Sequence, residues 1–358
     1  MARLSGQLLK RALVSMIAPM AFLGLYGGLS RMSADLPATA AASSFHGALV
    51  LHGVFGTLIP LERAVSLREP WAFGAPIASL IGSVLLLLTL PAHGWALYGL
   101  SALWFAAVSV RILILQTAPF TFALLLGALA LVAADALLLI GREIPEIVAL
   151  WLTFLVLTVA AERLELSRLL KHPLVVVALF FCAALGLLAG ATIGGIESPL
   201  FGIGLVAMAL WMLRYDIAMQ TVRLSGRVRY FAASMLSGHC WLLLAGLAVL
   251  AAPWLANPYD LIIHAICLGF ALSMVFGHAL IILPAITGIR LTYSAWLYLP
   301  LAALQLSVCL RALGDSLDQP VGRLESVYLT VSALLLFAAI LAGRRPRRPL
   351  LSDQPGDH

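Results

Sequence analysis

The apolar residues of this chain come in long runs, which are separated by charged and Pro/Gly-rich breaks. About 20 consecutive apolar residues are needed for a helix to cross the hydrocarbon core of a membrane. The runs are close to this length, so they predict twelve membrane-spanning helices. Their approximate bounds are 11–29, 45–62, 72–90, 95–115, 119–140, 147–162, 174–190, 199–213, 230–250, 261–287, 294–312 and 325–343.

The composition points to the same class of protein. Of the 358 residues, 62% are hydrophobic and 11% are charged, and the mean hydropathy is +1.04. We therefore predict an all-α, polytopic membrane protein with a single transmembrane domain over residues 1–343. Residues 344–358 are predicted to form a basic, disordered cytoplasmic tail. The first apolar run lacks a small-residue cleavage site and is predicted to be a retained helix.

The basic residues predict the orientation. With the N-terminus inside, all but four of the 22 Lys and Arg residues fall on the inner side, the exceptions being Arg31, Arg142, Arg311 and Arg323. The positive-inside rule then predicts a protein of the bacterial inner membrane with both termini in the cytoplasm. The net charge of +6 is interpreted as a topology signal, and no nucleic-acid partner is expected.

Five of the eight histidines fall inside the apolar runs: His46, His52, His239, His264 and His278. An ionisable side chain at membrane depth is costly unless it is paired or bound to a ligand, so each is a candidate functional residue. A lone membrane histidine can instead hydrogen-bond a carbonyl on a neighbouring helix, and this alternative stays open. The remaining three, His93, His172 and His358, are predicted to be solvated.

The second predicted helix carries His46 and His52. It enters from the outer face, so His46 should lie near that surface and His52 about 9 Å deeper. Six residues correspond to about 240° of α-helical rotation, so the two rings should belong to different sites. Gly47, Gly53 and Gly56 thin this helix where a neighbouring helix, or a flat ring such as a porphyrin, would come close.

The tenth predicted helix carries His264 and His278. Fourteen residues of α-helix return to within about 40° of the same face and separate the rings by roughly 21 Å. This spacing would let one helix ligate two haems, one in each half of the membrane. No second helix has it, so we expect His264 to pair with His46 or His52 in the outer half. His278, with His239 as a further candidate, would serve a deeper site.

Haem b is the cofactor that these residues favour, because haem needs one or two axial imidazoles within apolar walls. A zinc site is not favoured, since the chain has no closely spaced set such as HExxH or CxxC. Copper stays an open alternative. The candidate metal ligands are His46, His52, His264 and His278, and Met274 is either helix packing or an axial thioether.

Few other charged residues lie within the runs. Asp135, in the fifth helix, has no evident partner and is either a proton-relay carboxylate or a satisfied structural group. Glu62-Arg63 and Glu162-Arg163 end the second and sixth helices, and both are expected to anchor helices at the inner surface. Their recurrence hints at an internal repeat of four-helix units. The basic segment around Arg214-Tyr215-Asp216 is interpreted as a topology signal and a lipid contact.

Three segments resemble the NnrS family, membrane proteins of denitrifying and nitric-oxide-exposed bacteria that carry haem and copper. The segments are the second helix from His46 to Gly56, the stretch from Arg229 through Ser237-Gly238-His239-Cys240-Trp241-Leu242, and the run His264-Ala265, Gly269, Met274. The resemblance implies haem, copper and a nitric oxide ligand. Two features depart from the family pattern: Leu236 stands where a histidine is usual, and the second helix lacks a His-x-His-Glu cluster.

The predicted layout is also similar to the catalytic subunit of haem-copper oxidases and nitric oxide reductases, which has haem ligands on helices two and ten. Those enzymes use six histidines and place copper ligands on helices six and seven. Helices six and seven of this chain contain no histidine. A reduced version of that haem-copper-oxidase-like bundle is therefore expected, without dioxygen-reducing proton pumping.

The sequence thus predicts a membrane haem-binding protein that binds or processes nitric oxide or a related diatomic gas and contributes to nitric oxide tolerance. Whether it is a haem-dependent oxidoreductase stays open. The expected partners are the gas, membrane lipid and an electron donor of unknown identity, and a homo-oligomer is an open alternative.

The competing hypothesis is a proton-coupled secondary transporter with the histidines in the transport path. In that case Pro60, Pro284 and Gly288 would mark broken helices around a central site. A transporter should also show charged residues clustered at one depth, and the sequence does not reveal such a cluster. A structural or assembly subunit is a third possibility, in which the histidines have no shared role.

Overall fold

The computed structural model describes residues 2–32, 40–170 and 172–343. These residues form helices and short connections, and no strand occurs among them. By length and composition, eleven helices in the described ranges can cross a membrane, and Pro199–Tyr215 is a shorter apolar helix beside them. The chain is therefore an all-α, polytopic membrane protein, as predicted. The predicted tail, residues 344–358, lies outside the described residues.

Each predicted apolar run overlaps one helix, and we number the helices in chain order. They are α1 (Ala2–Ser30), α2 (Ala40–Leu67), α3 (Pro70–Leu87), α4 (Pro91–Leu115), α5 (Pro119–Leu139), α6 (Ile144–Leu170), α7 (Leu174–Ile193), α8 (Pro199–Tyr215), α9 (Gly226–Leu250), α10 (Pro258–Thr287), α11 (Ala295–Ser316) and α12 (Pro320–Gly343).

Proline marks the start of many of these helices. The first or second residue is proline in α3, α4, α5, α6, α8, α10 and α12. Proline is well tolerated there because a first-turn N–H has no partner within the helix, and its fixed φ suits the helical conformation. Pro60 and Pro284 lie within helices, and neither divides its helix into two.

Helix α6 lies at the centre of the bundle. Of its most apolar 18-residue window, 83% is buried, compared with 22% for α1 and 28% for α12. It packs against α5, α7, α8 and α10, whereas large apolar side chains of the outer helices are exposed around the perimeter. An apolar perimeter of this extent fits a lipid-facing surface. Side chains on α6 are therefore the ones placed to meet groups from several other helices.

Two helix pairs come close enough for backbone-to-backbone contact. A Cβ atom on Gly27 of α1 would lie 2.1 Å from the Ala42 carbonyl oxygen of α2, and one on Gly190 of α7 would lie 2.2 Å from the Phe201 nitrogen of α8. Small residues at such crossings favour tight helix packing within a membrane. The first of these crossings holds α1 against the part of α2 that carries His46.

The ends of the helices define two faces of the bundle. We call the terminal face the one where α1 begins and α10 ends, because Arg11 Nε donates to the Thr287 carbonyl at 3.0 Å. We call the other one the opposite face, where Arg31 follows α1 and lies 3.3 Å from His46 near the start of α2. Both α2 and α10 run from the opposite face to the terminal face.

Candidate functional site

The five predicted site histidines lie in three separate places. His46 and His264 form what we call the opposite-face pair. His52 lies further along α2 and forms a central dyad with Asp135. His239 and His278 belong to the arginine cluster, which we define as Arg163, Asp216, His239 and His278. His46 and His52 therefore lie in different clusters.

The histidines predicted to be solvated differ from one another. His93 is exposed near the start of α4. His172 is half-buried, and its Nε2 lies 3.1 Å from the Tyr215 carbonyl oxygen. His358 lies outside the described residues. None of the three joins the clusters above among the residues that the structure describes.

In the opposite-face pair, each ring is anchored through Nδ1. His264 Nδ1 lies 2.6 Å from the Asp260 carbonyl oxygen one turn earlier, so Nδ1 carries the proton. His46 Nδ1 lies 3.3 Å from the Ser43 carbonyl oxygen and 3.3 Å from Arg31 Nη1, and in the tautomer that donates to Ser43 the proton is on Nδ1 and Nε2 is the acceptor nitrogen. No hydrogen-bond partner for Nε2 of either ring is found within the described ranges. Each ring therefore presents a nitrogen that can bind a ligand.

The two rings of this pair lie close enough to interact electrostatically. Of the two partners considered for His264, it is thus His46 and not His52 that lies beside it. Arg311 adds positive charge near both rings, and Arg31 adds it near His46. Arg311 Nε donates to Asp315 at 2.8 Å, and its Nη2 lies 3.7 Å from Asp260. Two guanidinium groups beside two imidazoles suit a ligand that also carries carboxylate groups.

Both helices of the opposite-face pair, α2 and α10, contain a π-helical segment. It covers Leu49–Phe55 in α2 and Ala265–Leu272 in α10. The wider i→i+5 winding of such a segment changes which residues share a face, and such segments are frequent at functional sites. The α-helical calculation that placed His264 and His278 on one face is therefore wrong for this helix. His264 belongs to the opposite-face pair, whereas His278 belongs to the arginine cluster.

The central dyad is fully enclosed. His52 and Asp135 are 1% and 0% exposed, and His52 Nε2 lies 3.1 Å from Asp135 Oδ1. Trp151 Nε1 of α6 donates to the same carboxylate oxygen at 2.9 Å. The ring of Tyr98 on α4 stacks on His52 at 3.9 Å between centroids. Asp135, for which the sequence shows no partner, is thus the acceptor for two buried N–H groups.

One nitrogen of the dyad has no partner. His52 Nδ1 and Asp135 Oδ2 are buried without a hydrogen bond among the described residues. Nδ1 faces Gly56, where a Cβ atom would lie only 3.0 Å from it. With Nε2–H donated to Asp135, Nδ1 is the acceptor nitrogen of a neutral ring. This is the arrangement in which a carboxylate orients an imidazole for binding or proton transfer.

The arginine cluster brings four helices together. Arg163 Nη2 of α6 donates to His278 Nε2 of α10 at 2.8 Å, and His278 Nδ1 lies 2.8 Å from the Met274 carbonyl oxygen. Asp216, directly after α8, lies 4.0 Å from Arg163 Nε and 3.6 Å from His239 Nε2 of α9. Burial raises the pKa of the Asp216 carboxyl, and the nearby Arg163 charge acts against this rise.

Two expectations from the sequence are wrong at this cluster. Arg163 was expected to anchor α6 at the surface, but it is 1% exposed and reaches inwards. Asp216 was expected in a lipid-contacting basic loop, but it is 1% exposed and directly follows the last residue of α8. A buried arginine is costly unless it is paired. The Glu-Arg repeat at 62–63 and 162–163 was the signal in the sequence that could have identified it.

That repeat has a structural meaning. Arg63 of α2 donates to Glu162 of α6, so the two Glu-Arg pairs meet across the helix interface. Glu162 Oε2 also lies 3.9 Å from Arg163 Nη2 and 3.8 Å from His278 Nε2. Glu62 is close enough to Glu162 and to both arginines for electrostatic interaction. The charged residues are therefore clustered at one depth, which the sequence alone did not reveal.

The fit of a haem or a metal differs between the sites. In the opposite-face pair, neither Nε2 has a hydrogen-bond partner within the part of the chain that the structure describes, and axial ligation requires such a nitrogen. His278 does not fit an axial role in this arrangement, because its Nε2 already accepts from the positively charged Arg163. Among the described residues, no three His, Cys, Asp or Glu side chains form a metal-binding group. Met274 packs its methyl group against Gly238 of α9.

Two apolar grooves of about 280 and 580 Å³ occur elsewhere in the bundle. The smaller is lined by residues of α9, α10 and α11, such as Trp241, Leu261 and Ala312. The larger is lined by residues of α4, α5 and α7, such as Ile114, Phe122 and Phe181. Neither is lined by a histidine, so neither belongs to the clusters described above.

Comparison with known proteins gives one family. Residues 9–345 match the family described as a domain of unknown function (DUF8744), which covers nearly the whole chain. Among curated proteins, no similar sequence is found.

Proposed function

The chain belongs to the DUF8744 family, and we propose that it is an integral membrane haem protein that binds or processes nitric oxide or a related diatomic gas. One observation carries the proposal: His46 and His264 lie within electrostatic range of each other, each has Nδ1 beside a backbone carbonyl, and neither Nε2 has a hydrogen-bond partner among the described residues. Axial haem ligation uses this nitrogen, and ligating imidazoles usually donate their other N–H to a carbonyl or carboxylate. A bound haem would supply the affinity for the gas.

The two histidines would not contribute equally. His264 has the shorter anchor, at 2.6 Å from Nδ1 to the Asp260 carbonyl oxygen, whereas His46 Nδ1 lies 3.3 Å from the Ser43 carbonyl oxygen. We therefore assign His264 as the firmly held axial ligand and His46 as the exchangeable one. Arg31 would bind a carboxylate group of the porphyrin, because guanidinium groups form strong hydrogen bonds with carboxylates. A copper has fewer candidates, since His278 is engaged by Arg163.

An absorption spectrum of the detergent-purified protein, oxidised and dithionite-reduced, tests the proposal. A b-type spectrum is expected, with a pyridine haemochrome assay to count haem per chain. His264→Ala should lower haem affinity by at least about tenfold, because even the loss of a group that supports a ligand costs that much. If the spectrum depends on His264, nitric oxide is added next, and a shift of the haem bands is expected.

The matched control is His93→Ala, which removes an exposed histidine near the same face and should leave the spectrum unchanged. His278→Gln serves as a second comparison, because the proposal gives His278 no axial role. A colourless, stable wild-type protein would contradict the haem proposal. A b-type spectrum that survives in His46→Ala and His264→Ala alike would contradict the assignment of ligands.

A second candidate function is proton-coupled secondary transport. The observation that favours it is the convergence of Glu62, Arg63, Glu162, Arg163 and Asp216 at one depth. Intramembrane ionisable groups of this kind are typical of proton relays in transporters. Against it, α2 and α10 are not divided at Pro60 or Pro284. A colourless protein that folds normally would favour the transporter over the haem protein.

A further inference from the structure

The hydrogen bonds of His278 define its protonation state in this structure. Arg163 is always protonated and can only donate, so His278 Nε2 must be an acceptor. Nδ1 lies 2.8 Å from the Met274 carbonyl oxygen, which can only accept, so Nδ1 carries the proton. His278 is therefore a neutral imidazole, and the lone pair on its Nε2 accepts a hydrogen bond from the Arg163 guanidinium.

The arrangement leaves several buried groups unsatisfied. Arg163 Nε and Nη1, Asp216 Oδ2 and both ring nitrogens of His239 are buried without a partner in the described part of the chain. Buried polar groups are almost always hydrogen-bonded, so such a concentration calls for an explanation. Asp216 Oδ2 lies 4.0 Å from Arg163 Nε, a gap that a small side-chain movement would close.

A second set of partners is already in place around His278. Glu162 Oε2 lies 3.8 Å from His278 Nε2, slightly beyond hydrogen-bond distance. If His278 were protonated at Nε2, this carboxylate would become its acceptor, and Arg163 would be repelled towards Asp216. The residues thus have two alternative pairings: Arg163 with His278, or Arg163 with Asp216 and His278 with Glu162.

Exposure decreases from Glu162 into the cluster. The side chains of Glu162 and His278 are 19% and 11% exposed, Arg163 is 2% exposed, and Asp216 is fully enclosed. Glu162 and His278 therefore offer a route by which a proton can enter from the terminal side of α6 and α10. A proton is the simplest occupant of this route, because it needs no cavity.

We propose that His278 is a proton-binding site and that Arg163 changes its partner from His278 to Asp216 when the proton binds. The proton comes from water at the terminal face and adds to the Nε2 lone pair. Arg163 keeps its own protons, no other covalent bond changes, and the added positive charge is balanced by Glu162 and Asp216. Such an exchange between two pairings is a two-state element whose populations follow the proton concentration.

Charged and titratable groups from four other helices or helix ends face His278 among the described residues. These are Glu62 and Arg63 of α2, Glu162 and Arg163 of α6, Asp216 after α8, and His239 and Tyr230 of α9, the last donating to the Phe276 carbonyl. Phe231 covers the remaining side of the imidazole at 4.7 Å between ring centroids. The site is independent of haem, because the opposite-face pair lies at the other end of α10.

Magic-angle-spinning NMR of the full-length protein in nanodiscs, labelled at histidine and arginine nitrogens, tests the proposal directly. His278 is identified by the signal lost in His278→Gln. Near pH 8 the wild type should show the Nδ1–H tautomer and a close Arg163–His278 nitrogen contact. Histidine changes charge most readily between about pH 5 and 8, so near pH 5 the imidazolium should appear and the contact should vanish.

Asp216→Asn removes the second partner of Arg163, and near pH 5 the imidazolium fraction at His278 should fall at least about fivefold. Glu165→Gln is the matched control, because it removes a carboxylate from the same helix that pairs with Arg168 and not with His278. If Asp216→Asn fails to fold, the proposal is tested by the wild-type NMR signals alone, which report the His278 tautomer and the Arg163–His278 contact. A His278 that stays neutral at both pH values, or an Arg163 contact that persists at the lower pH, would overturn the proposal. Neither outcome affects the haem spectrum expected from His264.

Discussion

His46 and His52 are six residues apart on one helix, yet their surroundings differ completely. His46 is half-buried, its anchors are 3.3 Å long and its Nε2 is free. His52 is 1% exposed, its Nε2 is bound to Asp135 and an aromatic ring covers it. The comparison teaches that the partner of the ring, and not its depth alone, decides its role. The Nε2 atom of His46, at the opposite face, can bind a ligand. The Nε2 atom of His52, in the centre, is hydrogen-bonded to Asp135 and so also holds two helices together.

The largest expected effect is a loss of stability when the central dyad is broken. Asp135→Ala leaves two buried N–H groups, on His52 and Trp151, without their acceptor. Removing one partner of a buried charged network typically costs about 3–5 kcal/mol of unfolding free energy. Thermal unfolding of the detergent-purified variant, followed by tryptophan fluorescence, should show a clear drop in Tm.

Asp135→Asn is the control for this prediction. It keeps an oxygen acceptor at the same place, so the cost should be limited to about 1–2 kcal/mol. The idea that the dyad is structural would be wrong if both variants unfolded at the wild-type temperature. In that case the buried His52–Asp135 contact would be open to a purely functional explanation.

A smaller loss of stability is expected when the packing of α1 against α2 is disturbed, and this change should affect the opposite-face pair more than the central dyad. Gly27→Ala would place a Cβ atom 2.1 Å from the Ala42 carbonyl oxygen, so α1 must move away from α2. Overpacking of this kind typically costs about 1–3 kcal/mol. It should also weaken haem binding, because Gly28 of α1 lies against the His46 ring. Among the described residues, no hydrogen bond or ring contact joins His52 or Asp135 to α1, so the signals of the dyad should change less than those of His46.

Gly47→Ala is the matched control, because no atom lies within 4 Å of the added Cβ. A helical glycine costs roughly 1 kcal/mol relative to alanine, so this variant should be as stable as the wild type or more so. Equal loss of stability in the two variants would contradict the tight α1–α2 contact. Haem content measured on the same samples shows whether His46 follows the movement of α1.

The helices were predictable from the sequence, but the clusters were not. Length and hydropathy of an apolar run are local properties, and the run 174–190 corresponds closely to α7, Leu174–Ile193. The contacts of Asp135 with His52 and of Arg163 with His278 join residues 83 and 115 positions apart. They depend on how helices pack, which no local pattern encodes. The π-helical segments left no signature either, and so the α-helical spacing failed for α10.

The smallest expected effect is the loss of stability in His264→Ala without haem. It distinguishes the opposite-face pair most clearly from the central dyad. The ring is half-buried, and its one hydrogen bond is to its own helix, so the loss should be within about 1 kcal/mol. A ligand that binds only the folded state stabilises it by mass action. With haem present, the wild type should therefore gain Tm and His264→Ala should not, whereas His93→Ala should gain as much as the wild type. If haem raised the Tm of all three equally, His264 would have no axial role, and its free Nε2 would need another ligand.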